Sequence, residues 1–237
     1  MLVASSAHGD SIVRIIDLAR ARGVSVQSVE RQRLDALVSH HQGVLAEAAP
    51  FRYAALDELL AAVRQSDEPA LLLALDTLQD PQNLGSLLRT AVAVGAHGAL
   101  LPERRAVAIT PAVAKASAGA TEHLPIARVG NLVRALENLK AAGTWVVGLD
   151  ARAETSYLEV DLSGPVTIAV GGEDRGLRPL VRQTCDLLVR LPMSNLIESL
   201  NAAVAGSIVL YEAQRQRHAA SKSEDPLGEG VSSGGSI

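Results

Sequence analysis

The sequence predicts an α/β domain, a parallel sheet covered by helices on both faces, over most of its length. Two observations carry this. From residue 70 onward, short and almost wholly apolar runs recur, ALLLAL, GALLP, LPIARV, TWVVGLD, VTIAVGG and LLVRLP, which is how strands buried on both faces read. Between them lie amphipathic stretches, NLGSLLRTAVAVG, TPAVAKASAG, NLVRALENLKAAG and RPLVRQTC, with AAVAGSIVLYEAQRQR following the last. Parallel neighbours need crossovers of this kind.

The first part of the chain is a separate, smaller α/β unit. Residues 11–22, SIVRIIDLARAR, set Ile12, Ile15, Ile16 and Ala19 at the spacing of one helix face, and Gly23 stops the helix. VSVQSV alternates like a strand and QRLDALV resembles a short helix. From HHQGVLAEAAPF to DELLAAVRQSDEP the pattern is strand, loop, short helix and a polar break. Gln65, Ser66, Asp67, Glu68 and Pro69 cluster at that break, so a boundary is placed at 65–70, giving domains over 1–68 and 69–218. The remainder, 219–237, AASKSEDPLGEGVSSGGSI, is polar and rich in Gly and Ser, the composition of a disordered tail.

Composition excludes several functions. At 237 residues and 48% hydrophobic the chain can bury a large core, but aromatics are only 2%, too few for rows of rings stacking on RNA bases. The single Cys185 permits no internal disulfide. Between Thr184 and Asp186 and just before LLVRL it reads as a small core residue rather than a nucleophile. Neither a signal peptide nor a membrane-spanning run is found, so a cytoplasmic protein is expected. The net charge of −4 argues at face value against a nucleic-acid partner. That average misleads: residues 71–217 are charge-balanced, and the acidity lies in the two ends. Nearly all basic residues are Arg, which suits bidentate phosphate contacts and equally reflects a base-composition bias.

Ligands of doubly wound sheets bind beyond the carboxyl ends of strands, so the strand-to-helix turns are the places to look. In DTLQDPQNLGSLLRTA, residues 76–91, Pro81 and Asn83 precede a helix that carries Arg89. The pair is either a helix cap with a surface arginine or two groups at one mouth of the sheet. VGGEDRGL, residues 170–177, follows a strand and is neither GxGxxG nor a phosphate loop. Gly171 and Gly172 let a ligand approach the backbone, and Glu173 is a carboxylate facing it or a solvated turn residue. LPMSNLIESLN, residues 191–201, has more polar residues than one helix start needs. Asn195 with Glu198 fits a capping box, and Ser199 fits a cap for a helix beginning at Leu200, which leaves Asn201 unexplained. Metal and hydrolase chemistry find no support. His40 and His41 lack further ligands at zinc spacing, and no strand-to-helix turn carries the G-x-S-x-G elbow of a serine hydrolase. His8, His97, His123 and His218 are scattered and read as structural or surface residues.

NLGSLLRTA, VGGEDRGL and LPMSNLIESLNAAVA, in that order and at the ends of successive elements, resemble the three motifs of the SpoU/TrmH family. These are RNA ribose 2'-O-methyltransferases of the SPOUT superfamily. The segment RGVSVQSVERQRLDALVSHHQGVLAEAAPF also looks like the latter part of the ribosomal-protein-like RNA-binding domain found in the subgroup acting on 23S ribosomal RNA. On that resemblance the N-terminal domain reads as truncated, since MLVASSAHGDS starts as a strand end.

The resemblance implies a C-terminal trefoil knot, an exception to the no-knot expectation, with S-adenosylmethionine in the knot as methyl donor and no metal. It implies cofactor binding by Gly171, Gly172, Leu191, Met193, Ser199 and Leu200. The catalytic positions it implies are Asn83, Arg89, Glu173, Ser199 and Asn201. The reaction is an in-line attack of a ribose 2'-hydroxyl on the methyl group, of guanosine in 23S ribosomal RNA or of a transfer RNA, by a homodimer whose site is completed across the subunit interface. A non-catalytic RNA-binding or ribosome-assembly protein of the same fold is the reading from a different class. The chain departs from the family's usual pattern at Asp174 and Ala203, where Gly and Ser are common, and lacks a Gly near Asn195.

Overall fold

The computed structural model describes residues 1–39, 41–194, 196–197 and 199–224, excepting the side chains of residues 62 and 222–224. His40, Asn195, Glu198 and residues 225–237 lie outside the described residues, and with them the proposed capping box and most of the expected tail.

The chain forms two units, Met1–Phe51 and Arg52–Ile237. The first holds a sheet of β1 (Leu2–Ala4), β2 (Gln27–Val29) and β3 (Val44–Leu45), with β1 central, parallel to β2 and antiparallel to β3. Helix α1 (Asp10–Ala21) and the short α2 (Arg31–Asp35) connect the strands. Ile12, Ile16 and Ala19 of the predicted apolar face are half-buried, whereas Ile15 is exposed. Gly23 takes the left-handed conformation expected of a helix stop, with φ of 69°.

The division falls at Phe51 and Arg52, not at 65–70. Helix α3 (Leu56–Gln65) explains the difference. Its Leu59 and Leu60 are buried in the same core cluster as Leu72, Leu100 and Ala127 of the large sheet. The polar break that follows α3 is therefore a connection within the second unit.

That unit is built on a seven-stranded sheet, of order β6-β5-β4-β9-β7-β10-β8, in which every pairing is parallel. The strands are β4 (Leu71–Asp76), β5 (Gly98–Pro102), β6 (Ile126–Val129), β7 (Trp145–Leu149), β8 (Thr155–Ser156), β9 (Val166–Gly171) and β10 (Leu187–Arg190). The expected strands all form; the two-residue β8 at the edge is too short to show a pattern. β4 and β9 are buried along their whole length, as their unbroken apolar sequence requires.

Both faces are covered. Helices α3, α6 (Leu132–Ala141) and α7 (Pro179–Thr184) share one core with Leu72, Ala74, Val146 and Ala169. Helices α4 (Pro81–Ala93), α5 (Pro111–Ala116) and α8 (Ala202–Glu224) pack together on the other, α8 against β9. Gly206 makes that last contact possible: a Cβ there would stand 2.6 Å from a Leu87 methyl and 3.0 Å from Val170. α8 runs to Glu224, beyond the predicted end at 218. Its far half is pinned by Arg217, whose guanidinium donates to the carbonyls of Pro69 (2.6 Å), Ala70 (2.9 Å), Gly164 (2.7 Å) and Leu162 (3.4 Å). Burial lowers its pKa below the usual arginine value, with the nearby Glu68 charge opposing.

The chain passes from β4 outward to β5, while β9 pairs with the other side of β4. This is a topological switch point, the position at which open parallel sheets form ligand crevices.

Candidate active site

Asn83, Glu173 and Asn201 meet at the carboxyl edge of the sheet. β4 and β9 end in register, Asp76 opposite Gly171. The turns that follow them carry Asn83 and Glu173, and the segment after β10 leads to Asn201. Asn83 Nδ2 donates to Glu173 Oε1 at 2.8 Å, and Asn201 Nδ2 donates to Asn83 Oδ1 at 2.9 Å. Asn201 Oδ1 accepts in turn from the backbone N–H of Ala203 (2.8 Å) and Val204 (3.2 Å).

Each amide thus has its orientation set by its neighbours. The result is a directed chain of donors that starts at the N-terminus of α8, passes through two side-chain amides, and ends on an exposed carboxylate. Glu173 Oε1 is the acceptor on which the chain of polarised amides ends. Such a carboxylate can accept from a hydroxyl or hold a guanidinium.

The local structure revises two sequence readings. Asn83 is not a cap. It lies in the first turn of α4, whose N-cap is Asp80, accepting from Gln82 N at 3.1 Å ahead of Pro81. Ser199 does not cap α8 either: the helix begins at Ala202 and Asn201 supplies the capping oxygen. The residue that neither cap reading could place therefore has both jobs. Ala203, where the family commonly has Ser, takes part through its backbone.

Gly171 and Gly172 are needed for a reason other than ligand approach. A Cβ on Gly171 would stand 2.0 Å from the Gly176 carbonyl carbon, and one on Gly172 would stand 2.6 Å from the Thr77 carbonyl oxygen. The chain itself fills those spaces. Gly176 N donates to Gly172 O at 3.0 Å, folding the turn back on itself. Thr77, at the end of β4, sits against Gly172 with a φ of 60°, a conformation costly for a β-branched residue.

One pair was not visible in the sequence. Asp76, the last residue of β4, is fully buried, and its carboxylate accepts from Arg178 Nε at 2.6 Å and from Arg178 N at 2.7 Å. This bidentate contact clamps the end of the Glu173 turn to β4. Arg182 makes a similar ion pair with Asp150 at the end of β7. Partial burial of Asp150 opposes ionisation, but the Arg182 hydrogen bond and the Arg152 backbone N–H outweigh it, holding that carboxyl below its ordinary range.

Leu191, Met193 and Leu200 are half-buried apolar side chains on the segment between β10 and α8, and Ser199 is exposed there. Arg89 is exposed on α4 and has no hydrogen bond or ion pair among the described residues. Six residues of helix place it about 9 Å along and about 120° around from Asn83, so it does not join the trio. Cys185 has its thiol pushed up to about 11, by burial first and by the adjacent Asp186 second. It is partly buried and packs against the core beside Gly148. His41 accepts from Gly43 N through Nδ1 and meets Asp35 through Nε2, and His97 bridges Ser66 and Leu71 N. Both are structural. No group of three or more His, Cys, Asp or Glu able to hold a metal occurs among the described residues, and none of their helices is long and apolar enough to cross a membrane.

Comparison with known proteins identifies the family. Residues 70–211 match the SpoU rRNA Methylase family, and residues 1–54 match the RNA 2'-O ribose methyltransferase substrate binding family. YacO of Bacillus subtilis (strain 168), which carries the name of a TrmH family tRNA/rRNA methyltransferase, is 46% identical over 217 residues, covering 91% of this chain and 84% of its own. An uncharacterised tRNA/rRNA methyltransferase of Mycolicibacterium vanbaalenii is 42% identical over 223 residues, covering 93% and 71%.

Among solved structures, the SpoU methyltransferase AviRb from Streptomyces viridochromogenes in complex with AdoMet superposes with a TM-score of 0.74 at 27% identity, covering 92% of this chain and 82% of that one. The AdoMet-bound rRNA methyltransferase from Sinorhizobium meliloti gives 0.72 at 27% identity, covering 90% and 79%. The chain belongs to the SpoU/TrmH family of RNA methyltransferases.

Proposed function

We propose that the protein transfers the methyl group of S-adenosylmethionine to a ribose 2'-hydroxyl of RNA, a guanosine of 23S ribosomal RNA being the favoured target. The observation that carries this is the hydrogen-bonded trio Asn83, Glu173 and Asn201 at the carboxyl edge of β4, β9 and β10. It is a preorganised polar surface beside a backbone-lined, partly apolar one, as a reaction that depends on alignment requires.

The residues present fit the cofactor. Leu191, Met193 and Leu200 are apolar and incompletely buried, suitable for the two faces of a purine. The segments leaving β9 and β10 offer backbone N–H and C=O groups for its edges. Gly171, Gly172 and Ser199 border the same segments. When bound, S-adenosylmethionine supplies a methyl group already activated by its sulfonium. What the chain must add is orientation of the ribose and removal of a proton.

Glu173 and Asn83 orient the ribose. Arg89, a forked donor with no acceptor atom, stabilises phosphate or developing alkoxide. Its separation from the trio on α4 suits a homodimer in which one protomer's arginine completes its partner's site. The C-terminal segment, from β9 through β10 into α8, is the part we read as a trefoil knot. The N-terminal unit docks the RNA, and the setting is the cytoplasm.

The names of the relatives keep transfer RNA as the second reading of the substrate. Incubation with labelled S-adenosylmethionine and undermethylated ribosomal or transfer RNA, followed by digestion to nucleosides, tests the proposal. The expected product is 2'-O-methylguanosine from 23S ribosomal RNA. Base methylation overturns the reaction, the same nucleoside from transfer RNA alone moves the substrate, and cofactor binding without any transfer points to an assembly protein of the same fold.

A further inference from the structure

The loop that follows β5, residues 103–110, opens at the same edge of the sheet as the polar trio and has no part in it. It is held at four points. Glu103 N donates to Val129 O at 2.9 Å, Val107 N to Leu78 O at 2.9 Å, and Ile109 N to Tyr53 Oη at 2.8 Å. Arg128 Nη2 donates to Glu103 O at 2.9 Å, its guanidinium lying 5.4 Å from the centroid of the Tyr53 ring. Between these anchors Arg104 and Arg105 are exposed and have no hydrogen bond or ion pair among the described residues. Arg105 sits at a φ of 64°, a left-handed conformation unusual for arginine.

We propose that Arg104 and Arg105 form a subsite for the phosphate backbone of the RNA that flanks the target nucleotide. This rests on the RNA methyl transfer proposed above. The Val107 to Leu78 bond ties the loop to the turn between β4 and α4, the same turn that leads into Asn83. Backbone bound by the two arginines is thereby kept in a set relation to the ribose at the trio. Two adjacent guanidiniums on a tethered loop match phosphate oxygens as forked donors. The nearest carboxylate on the loop, Glu103, is turned toward Gly130, with 3.5 Å between its Oε2 and a Cβ placed there. Tyr53 is covered by Arg128, so no ring is offered for base stacking, and the subsite reads charge and position rather than sequence.

The test is the salt dependence of binding to a short fluorescein-labelled single-stranded RNA of mixed sequence, using the full chain. Glycine accepts the backbone at 105 at least as well as arginine, so R104Q/R105G keeps the loop's path. This variant is expected to bind about tenfold more weakly at low salt, and its slope of log K against log salt is expected to fall by about 1.4, or about 0.7 per lost phosphate contact. R104K/R105K retains the wild-type slope within about 0.3. Should the double variant lose its folded circular dichroism, R104Q and R105G singly are each expected to lose about 0.7. An unchanged slope in R104Q/R105G overturns the subsite, and if binding to polyglutamate is lost instead, the surface belongs to an acidic protein segment. Wild-type methyl transfer with that unchanged slope removes the subsite alone. A reduced slope in a protein that methylates no RNA removes the proposed reaction and leaves the subsite.

Discussion

Asn201 Nδ2 donates to Asn83 Oδ1 at 2.9 Å, while the other end of the same Asn201 amide caps α8. One side chain therefore ties the start of the last helix to the first turn of α4. The two roles separate by chemistry. Aspartate caps a helix as well as asparagine does but has no N–H to give Asn83. N201D is expected to unfold within about 0.5 kcal/mol of wild type and to lose methyl transfer by about tenfold or more. N201A loses both functions, with about 1 kcal/mol of stability. Urea unfolding beside a methyl-transfer assay checks this; equal activity of N201D and wild type would show that the amide serves only the helix.

Asn83 is the middle member, donating to Glu173 and accepting from Asn201. N83A should reduce transfer by about a hundredfold, the usual size of effect when one preorganised donor is removed, with the S-adenosylmethionine dissociation constant unchanged. N83D brings a second carboxylate against Glu173 and should be worse than N83A. Calorimetric titration of the cofactor, run with the transfer assay, distinguishes a lost reaction from a lost pocket.

Arg89 tests what kind of help the hydroxyl receives. R89A is expected to keep cofactor binding and lose most transfer. R89K decides the role. Lysine keeps a positive charge at neutral pH and gives it up near pH 10, more readily than arginine. If Arg89 is an electrostatic partner, R89K is weaker than wild type and falls further as pH rises toward about 10. Activity of R89K that climbs with pH past the wild type would make residue 89 the base instead.

Much of this was legible from local pattern. Strands that are apolar throughout, such as ALLLAL and VTIAVGG, announce burial on both faces, and a parallel sheet then puts the informative turns at one edge. Asn83, Glu173 and Asn201 stand out because they are polar residues at those turns. The errors arise where tertiary contacts decide between local alternatives. Asn195, Ser199 and Asn201 are all residue types that cap helices, and the hydrogen bond to Asn83 together with the seat of Gly206 against Leu87 and Val170 favours the start of α8 after Asn201. The Asp76 to Arg178 clamp joins residues far apart in sequence that carry no periodic signal. The polar break after α3 does not mark where the two units divide, because α3 packs forward onto the large sheet through Leu59 and Leu60, which no local pattern distinguishes from packing backward.

That clamp is asymmetric. Asp76 is wholly buried, whereas Arg178 keeps about a third of its side chain in water. R178A strands a carboxylate in the core with only a backbone N–H, and is expected to cost about 3 kcal/mol. D76N leaves a neutral group that still accepts, and an arginine that turns to solvent, at about 1 to 2 kcal/mol. Denaturant unfolding of the two variants gives the order, and a larger loss in D76N would mean the arginine, not the carboxylate, is the trapped charge.

Glu212 on α8 offers a prediction about pH. Its carboxylate accepts from Arg215 at 2.8 and 2.7 Å and from Gln216 at 2.8 Å, and Gln216 reaches on to Leu162 N and Val160 O. The Arg215 hydrogen bond lowers the Glu212 pKa below its ordinary 4.5, burial opposes, and Gln216 adds to the lowering. The folded state therefore binds this proton less readily than the unfolded chain. Its contribution to stability is complete above the ordinary value of 4.5 and is lost as pH falls through the depressed one. E212Q should melt below wild type at pH 7, and the gap in Tm should close as the pH drops under about 4. Because Arg215 is solvent-exposed, the gap at pH 7 should also narrow in high salt. A gap that persists unchanged at pH 3 would assign the effect to the neutral Gln216 hydrogen bond rather than to the charge.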